Sequence, residues 1–189
     1  VGQGWVGNIR KLAAAHWWDG LSINRVQDNY VVQWGDADGE NMAKARPLPA
    51  GLATVPESSY ATPFRFTGPE PAIKGEAASL LRLPEVVMPL RLDSYGTATF
   101  TASGWPVGVT NKELWPVHCY GAVGVGRNLS PDTGSGAELY AVIGHAPRHL
   151  DRNIAVVGRV IEGIEHLSSL PRGTGALGFY EKPAERLRI

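Results

Sequence analysis

Clusters of histidine and aspartate are the first candidates for metal chemistry in this chain of 189 residues. His145 and His149 are four residues apart, a spacing that places two metal ligands on one face of a helix. Pro147 lies between them, and no third ligand is near in the sequence. Residues 36–40 (D-A-D-G-E) match the opening of a calcium-binding loop, but the sixth position, which must be glycine, is Asn41. We therefore predict no metal site.

Glycines at 121–126 (G-A-V-G-V-G) raise the question of a dinucleotide-binding loop. Such a loop is followed by a long helix, whereas residues 127–131 (R-N-L-S-P) are typical of a turn. We interpret these glycines as part of a strand whose backbone packs closely. Cys119 is the single cysteine of the sequence, which excludes an internal disulfide. Neighbouring residues of a strand point to opposite faces, so His118 is not expected to activate it. No cofactor is predicted.

The composition indicates a β-rich globular protein. Hydrophobic residues make up 43% of the chain, and glycine and proline together contribute 37 residues (23 and 14), which favours short elements joined by turns. Equal numbers of basic and acidic residues, 18 of each, argue against a nucleic-acid partner. No apolar run is long enough to span a membrane. The chain begins with Val1, and we expect it to be trimmed at both ends. The compartment is not determined; a periplasmic or secreted location is favoured over a cytoplasmic one.

Local patterns predict the elements at the two ends of the chain. Apolar positions at helical spacing predict a helix that begins at Asn8 as N-cap and ends at Asp19-Gly20. Strands are predicted at 21–26 and 30–34, joined by a turn. The C-terminal part is predicted to contain further elements, namely strands at 137–143 and 154–160 and a helix from Glu162 to about Leu170, with Ile164 and Leu167 facing inward.

The segment 37–120 is the least regular part of the sequence because prolines recur throughout it. Only residues 86–92 and 97–102 are predicted to be strands there, with a turn at 93–96.

Two separated blocks carry the most specific pattern in the sequence. The first is residues 18–36 (W-D-G-L-S-I-N-R-V-Q-D-N-Y-V-V-Q-W-G-D), and the second comprises 136–140 (G-A-E-L-Y), 149–151 (H-L-D) and 154–160 (I-A-V-V-G-R-V). In order and local spacing they resemble the cyclophilin family of peptidyl-prolyl cis-trans isomerases. That family has a helix, Y-D-G, F-H-R-V and F-x-x-Q-G-G-D, followed by G-S-Q-F-F-I, W/F-L-D and V-F-G-x-V. The chain resembles a divergent, bacterial-like member with a long insertion.

The resemblance implies a mainly β fold, a closed antiparallel eight-stranded barrel capped by two helices. Residues 1–189 would form one domain, with 37–120 as a β-rich, insertion-bearing segment. A monomer is expected. The implied partners are Xaa-Pro segments of unfolded or exposed polypeptides.

The resemblance also implies a site centred on an arginine. Arg25 matches the family's catalytic arginine, and Gln33 matches the glutamine that orients it. The implied substrate-binding residues are the lining of the proline pocket (Tyr30, Val31, Tyr140, Leu150), its neighbour His149, the groove position Glu138, and Gly126 and Arg127, which fall where the family pairs with the bound peptide.

This chemistry requires no nucleophile, metal or cofactor, because no covalent bond breaks. The barrier to rotation about a peptide bond is about 18–20 kcal/mol and comes from amide resonance. In the twisted transition state the proline nitrogen accepts hydrogen bonds, and Arg25 can bind it more strongly than it binds the planar amide. A charged hydrogen bond of this kind contributes about 1.5–3 kcal/mol.

Several residues depart from the family pattern and keep two alternatives open. Asn24 replaces the histidine before the arginine, His149 replaces tryptophan or phenylalanine, and Ile154 stands where many members have histidine. Trp34 replaces the first glycine of G-G-D, and Glu138 replaces a glutamine. These changes also fit a catalytically weak proline-peptide-binding or chaperone module on the same barrel. The six tryptophans and many glycines are also typical of a third hypothesis, a secreted, β-rich carbohydrate-binding module.

Overall fold

The computed structural model describes residues 2–64, 80–83, 86–89 and 91–189 of the chain. Its helices are α1 (Gln3–Ala14) and α2 (Ile164–Ser168). Its strands are β1 (Ser22–Val26), β2 (Val31–Gly35), β3 (Thr62–Pro63), β4 (Leu80–Leu83), β5 (Val86–Pro89), β6 (Arg91–Asp93), β7 (Gly96–Ala102), β8 (Trp105–Val109), β9 (Glu113–Pro116), β10 (Ala122–Val125), β11 (Leu139–Val142), β12 (Val156–Arg159) and β13 (Leu187–Arg188).

The strands of the described ranges form three antiparallel sheets. The first has six strands in the order β12-β10-β11-β2-β1-β13, and the second has five in the order β3-β9-β8-β7-β6. Strands β4 and β5 form a separate pair. The mainly β fold with two helices is as the sequence predicts. Closure into one eight-stranded barrel is not seen in these ranges and stays a prediction, as does the division into one domain with an insertion.

The six-stranded sheet has two different faces, because side chains alternate along each strand. Val32 and Trp34 of β2 point to the face that carries Leu139 of β11. Both helices pack on this face, α1 through Trp5 and α2 through Ile164. Residues of the opposite face, among them Val31, Gln33 and Tyr140, are the ones that the sequence places in a functional site.

A β-bulge at Asn24 sends neighbouring side chains of β1 to different faces. Ile23 pairs with Trp34 and faces the helices, whereas Arg25 pairs with Gln33 on the opposite face. In a regular strand, residues 23 and 25 would share a face. The Asn24 side chain is buried and donates a hydrogen bond to the Gly35 carbonyl at 3.2 Å, which fixes the bulge to the partner strand.

Helix α1 starts and ends earlier than the sequence indicates, so the predictions of Asn8 as its N-cap and of Asp19-Gly20 as its end are both wrong. The helix begins at Gln3 and has Gly2 as its N-cap. Asn8 lies inside the helix and is 1% exposed; its amide binds the backbone of Ala53 through both its oxygen and its nitrogen. A buried asparagine that satisfies loop backbone uses the same residue type as a helix cap, so the pattern misidentified its role.

The hairpin of β1 and β2 is confirmed. Strands β11 and β12 and helix α2 are also confirmed, each about half as long as predicted. The segment 86–92, predicted as one strand, is instead two, β5 and β6. Strands β8 and β9 were missed because prolines argued against them. Pro106 and Pro116 lie near the ends of these strands, where a missing N–H is tolerated. In the part of the chain described, no helix is long and apolar enough to cross a membrane.

Candidate active site

A row of paired residues runs across the centre of the six-stranded sheet. Arg25 of β1 is paired with Gln33 of β2, Gln33 with Tyr140 of β11, and Tyr140 with Gly124 of β10. Because directly paired residues point to the same face, the sheet itself brings Arg25, Gln33 and Tyr140 together. A Cβ atom at Gly124 would clash with the Tyr140 hydroxyl, so this glycine makes room for the ring. The glycine run therefore lies in a strand, as predicted.

Hydrogen bonds fix the Arg25 guanidinium on three sides. Nη1 donates to the Gln33 side-chain oxygen at 3.2 Å, and Nη2 donates to the side-chain oxygen of Gln27. Nε donates to the backbone carbonyl of Leu177 at 2.7 Å. Leu177 has a left-handed backbone with φ of 55°. The guanidinium is thus held in a defined position before any ligand arrives.

Two aromatic rings face the same guanidinium. The Arg25 Cζ atom lies 5.5 Å from the centroid of Tyr30 and 5.3 Å from that of Phe179, within the range of cation–π contacts. Burial lowers the pKa of Arg25 below its ordinary value, with Tyr30 acting in the opposite direction. A guanidinium nevertheless remains charged in proteins. Arg25 is therefore a permanently charged hydrogen-bond donor that is partly buried from solvent.

An apolar cluster lies beside Arg25 and contains all four residues predicted to line the proline pocket. Val31, Tyr140 and Leu150 are buried, at 2%, 4% and 6% exposure, and Tyr30 packs against them from a partly buried position. Ile154 and Trp105 also pack against this cluster. Trp105 belongs to the second sheet, so that sheet contributes to the surroundings of the pocket.

Tyr30 also contacts His149, as two stacked rings. Their centroids are 5.7 Å apart with an interplanar angle of 12°, and the Tyr30 hydroxyl lies 3.1 Å from His149 Nε2. His149 is exposed, so this pair forms an outer edge of the apolar cluster.

A buried polar chain holds Tyr140 from behind. Its hydroxyl lies 2.9 Å from Nε2 of His118, and Nδ1 of His118 lies 3.0 Å from Asp151. Burial would raise the pKa of Asp151, but the hydrogen bonds that this carboxylate accepts outweigh that effect and lower it. Burial raises the pKa of Tyr140 well above its ordinary value. Tyr140 is thus a neutral phenol whose polar end is satisfied inside the core.

Arg148 joins this chain to the second sheet. Its Nε donates to Asp151 at 2.6 Å, and its Nη2 donates to Asp93, the last residue of β6, at 2.5 Å. The guanidinium also lies 5.1 Å from the ring centroid of Tyr95 in the turn between β6 and β7. The segment that carries His149 and Leu150 is therefore tied to the region 37–120.

A groove of about 730 Å³ opens next to Arg25. Arg25 and Gln33 line it together with Gly126, Arg127 and Glu138, the remaining residues that the sequence singled out. The Gly126 N–H donates to the Glu138 carbonyl at 2.8 Å, so this donor is already used within the protein. The apolar cluster is not part of the groove lining, so the site consists of an apolar part and a polar part with Arg25 near both.

The carboxyl group of Glu138, which lines the groove, has a raised pKa. Its carboxylate accepts a hydrogen bond from the Asp36 backbone N–H at 2.6 Å and another from the side chain of Gln33. Burial, reinforced by the neighbouring carboxylates of Asp36 and Glu40, raises its pKa to about 7 despite these hydrogen bonds. Glu138 therefore changes charge near neutral pH.

The predicted site residues lie in two groups on either side of Arg25, the apolar cluster with His149 at its edge and the polar groove. Sequence reasoning missed several residues that contact them. Leu177 and Phe179 lie about 150 positions from Arg25, and no motif marks them. Asp151 ends the quoted segment 149–151 and His118 precedes the single cysteine, but only their burial reveals the link to Tyr140. Gln27 lies in the turn of the hairpin, and the turn pattern gives no indication that it contacts Arg25.

Comparisons with known proteins identify the family. The sequence matches the family model described as "Cyclophilin type peptidyl-prolyl cis-trans isomerase/CLD" over residues 5–189. A search of curated proteins finds no match.

Among solved structures, a cyclophilin from Hirschia baltica is similar with a TM-score of 0.56 and 18% identity, over 94% of this chain and 61% of that one. This chain thus spans about three fifths of the Hirschia baltica protein. A cyclophilin-type isomerase from Cryptosporidium parvum, solved in the presence of the dipeptide Ala-Pro, is similar with a TM-score of 0.48 and 12% identity over 97% of this chain and 79% of that one.

The family match covers nearly the whole chain, and the Hirschia baltica structure shows the same fold. The chain belongs to the cyclophilin-type peptidyl-prolyl cis-trans isomerase family.

Proposed function

We propose that this protein is a peptidyl-prolyl cis-trans isomerase that acts on Xaa-Pro bonds of exposed or unfolded polypeptide segments. The observation that carries the proposal is the position of Arg25, a fixed cation beside an apolar cluster in a member of this family. Peptide-bond rotation requires a donor to the proline nitrogen and a surface that holds the ring, and these two parts are adjacent here.

Arg25 keeps donors for a substrate. A guanidinium has five N–H groups, and three of them have acceptors within the described part of the chain: the Leu177 carbonyl, Gln33 and Gln27. One hydrogen on each terminal nitrogen remains for the proline nitrogen. The twisted amide is the better acceptor because its nitrogen lone pair is no longer conjugated, so this contact favours the transition state over the ground state.

The apolar cluster would hold the proline ring while the preceding carbonyl rotates. Tyr30 offers the most accessible surface of the four pocket residues, and His149 extends that surface outward by stacking on it. The groove on the other side of Arg25, lined by Gln33 and Glu138, would receive the chain that precedes the proline. A monomeric state and a periplasmic or secreted location stay predictions.

The alternative is a proline-peptide-binding module with little catalysis. It is favoured by the burial of Val31, Tyr140 and Leu150, which leaves little of these side chains for a proline ring to contact.

Magnetisation-exchange NMR on an Ala-Pro peptide distinguishes the two functions. The wild-type protein should accelerate cis-trans exchange, and Arg25→Ala should lose roughly one to two decades of rate, the equivalent of a charged hydrogen bond. Arg10→Ala, at an exposed position of α1, is the matched control and should retain the rate. Peptide signals that shift without faster exchange would instead establish the binding module.

A further inference from the structure

Glu138 holds one end of the Gln33 side chain while Arg25 holds the other. The Gln33 oxygen accepts from Arg25 at 3.2 Å, and its amide group is hydrogen-bonded to the Glu138 carboxylate. The carboxylate is itself confined: the Asp36 N–H donates to it, and a Cβ atom at Gly35 would clash with it. The three side chains therefore form a continuous chain from Glu138 to the guanidinium.

Ionisation of Glu138 restricts the orientation of the Gln33 amide. An ionised carboxylate can only accept hydrogen bonds, so it requires the NH₂ group of Gln33 on its side and leaves the oxygen for Arg25. A protonated carboxyl can donate its O–H to the Gln33 oxygen. The amide can then flip, which would place its NH₂ group against the guanidinium, where two donors face each other.

The surroundings of Glu138 place the protonation of its carboxylate within the physiological pH range. Burial and the nearby carboxylates of Asp36 and Glu40, on the loop after β2, raise its pKa to about 7. Arg25 lies beyond Gln33, and Arg127 adjoins Gly126 on the segment after β10. Besides Glu138, the charged residues that line the groove are Arg25, Asp36, Glu40, Arg46, Arg127, Asp132 and Arg186.

We propose that Glu138 is a positioning residue, whose ionised carboxylate fixes the Gln33 amide in the orientation that holds Arg25 for peptide-bond rotation. The consequence for activity rests on the proposed isomerase function. The predicted orientation of Gln33 and Arg25 is independent of that function, because it can be measured in the protein without substrate.

The first test follows the side-chain NMR signals of Arg25 Nε–Hε and Gln33 NH₂ between about pH 5.5 and 8.5. In the wild-type protein both should titrate together with a midpoint near the pKa of Glu138, about 7. In Glu138→Gln the titration should vanish, because glutamine keeps the shape but carries no ionisable group. Glu165→Gln, an exposed carboxyl on α2, is the matched control and should behave as wild type. Signals that do not titrate in the wild type, or that titrate equally in Glu138→Gln, would overturn the proposal.

The second test measures kcat/KM for an Ala-Pro peptide at about pH 6 and 8. The wild-type value should rise by up to roughly tenfold with pH, following the ionised fraction of one group, and Glu138→Gln should show no such rise. Activity that is the same at both pH values in the wild type contradicts the positioning role while the isomerase function stands. An intact NMR titration without catalysis at any pH refutes the isomerase function and leaves the positioning of Arg25 supported.

Discussion

The hydroxyl of Tyr140 lies 2.9 Å from Nε2 of His118, inside the core of the protein. A phenol in an otherwise apolar cluster would leave its O–H unsatisfied, which costs about 1–3 kcal/mol. His118 removes that penalty, and Asp151 in turn binds His118. The ring of Tyr140 can therefore serve as an apolar surface on the pocket side while its polar end is anchored behind it.

Removal of Asp151 should destabilise the fold strongly. Asp151→Ala leaves the Trp115 indole N–H, His118 and the guanidinium of Arg148 without their shared acceptor. Breaking a buried ion pair on one side costs about 3–5 kcal/mol, and urea unfolding would measure the loss. Asp28→Ala, which removes an exposed partner of Arg172, should have a much smaller effect, because solvent screens an ion pair at the surface. Equal losses of unfolding free energy for the two variants would contradict the stabilising role of the buried polar residues around Asp151.

Gln33 should affect turnover more than binding. Gln33→Leu keeps the size of the side chain but removes the acceptor for Arg25 Nη1, so the guanidinium loses one restraint. We expect kcat to fall by roughly 3- to 10-fold, the equivalent of one ordinary hydrogen bond, with little change in KM. Gln3→Leu, at an exposed position of α1, serves as the control. A change confined to KM would show that Gln33 binds substrate and does not orient Arg25.

Phe179 should limit the motion of Arg25. The residue is 40% exposed and its ring centroid lies 5.3 Å from the guanidinium carbon, so Phe179→Ala removes one side of the aromatic enclosure. A cation–π contact at such a site contributes about 0.5–1 kcal/mol, which corresponds to an activity loss of roughly two- to five-fold. Nitrogen relaxation at Arg25 Nε should report increased mobility. Leu129→Ala, another exposed apolar side chain, should leave that relaxation unchanged.

Glu138 should also make stability depend on pH. Its pKa is raised in the folded protein, from 4.5 to about 7, so the folded state binds a proton more tightly than the unfolded state. The free energy of unfolding should therefore fall as pH rises from about 4.5 to 7, by up to about 3 kcal/mol. Glu138→Gln lacks this contribution, so its stability relative to wild type should increase over the same range. If urea unfolding shows the same dependence of the unfolding free energy on pH in both proteins, the raised pKa of Glu138 is contradicted.

Local sequence signals predicted the hairpin that carries Arg25 and Gln33, whereas the role of these two residues came from the resemblance to the family. Arg25 and Gln33 lie on one hairpin, where alternation and a short turn define the pairing of the strands. The resemblance to the family located Tyr140 and Leu150, which local patterns alone would have assigned to the core. Leu177 contributes only a backbone carbonyl, which has no sequence signature. The Asn24 bulge was equally invisible, because an extra residue in a strand has no distinctive composition.

That bulge makes Asn24 the one residue of β1 that the alternation of the two faces does not require. With Asn24 present, Ile23 faces the helices and Arg25 faces the pocket. Deletion of Asn24 would leave Ile23 opposite Trp34 and the arginine opposite Gln33, so simple alternation would keep both side chains on their present faces. The deletion would remove the buried hydrogen bond to the Gly35 carbonyl. In evolution or in protein engineering, loss of the bulge residue should therefore reduce stability and leave the placement of Arg25 intact.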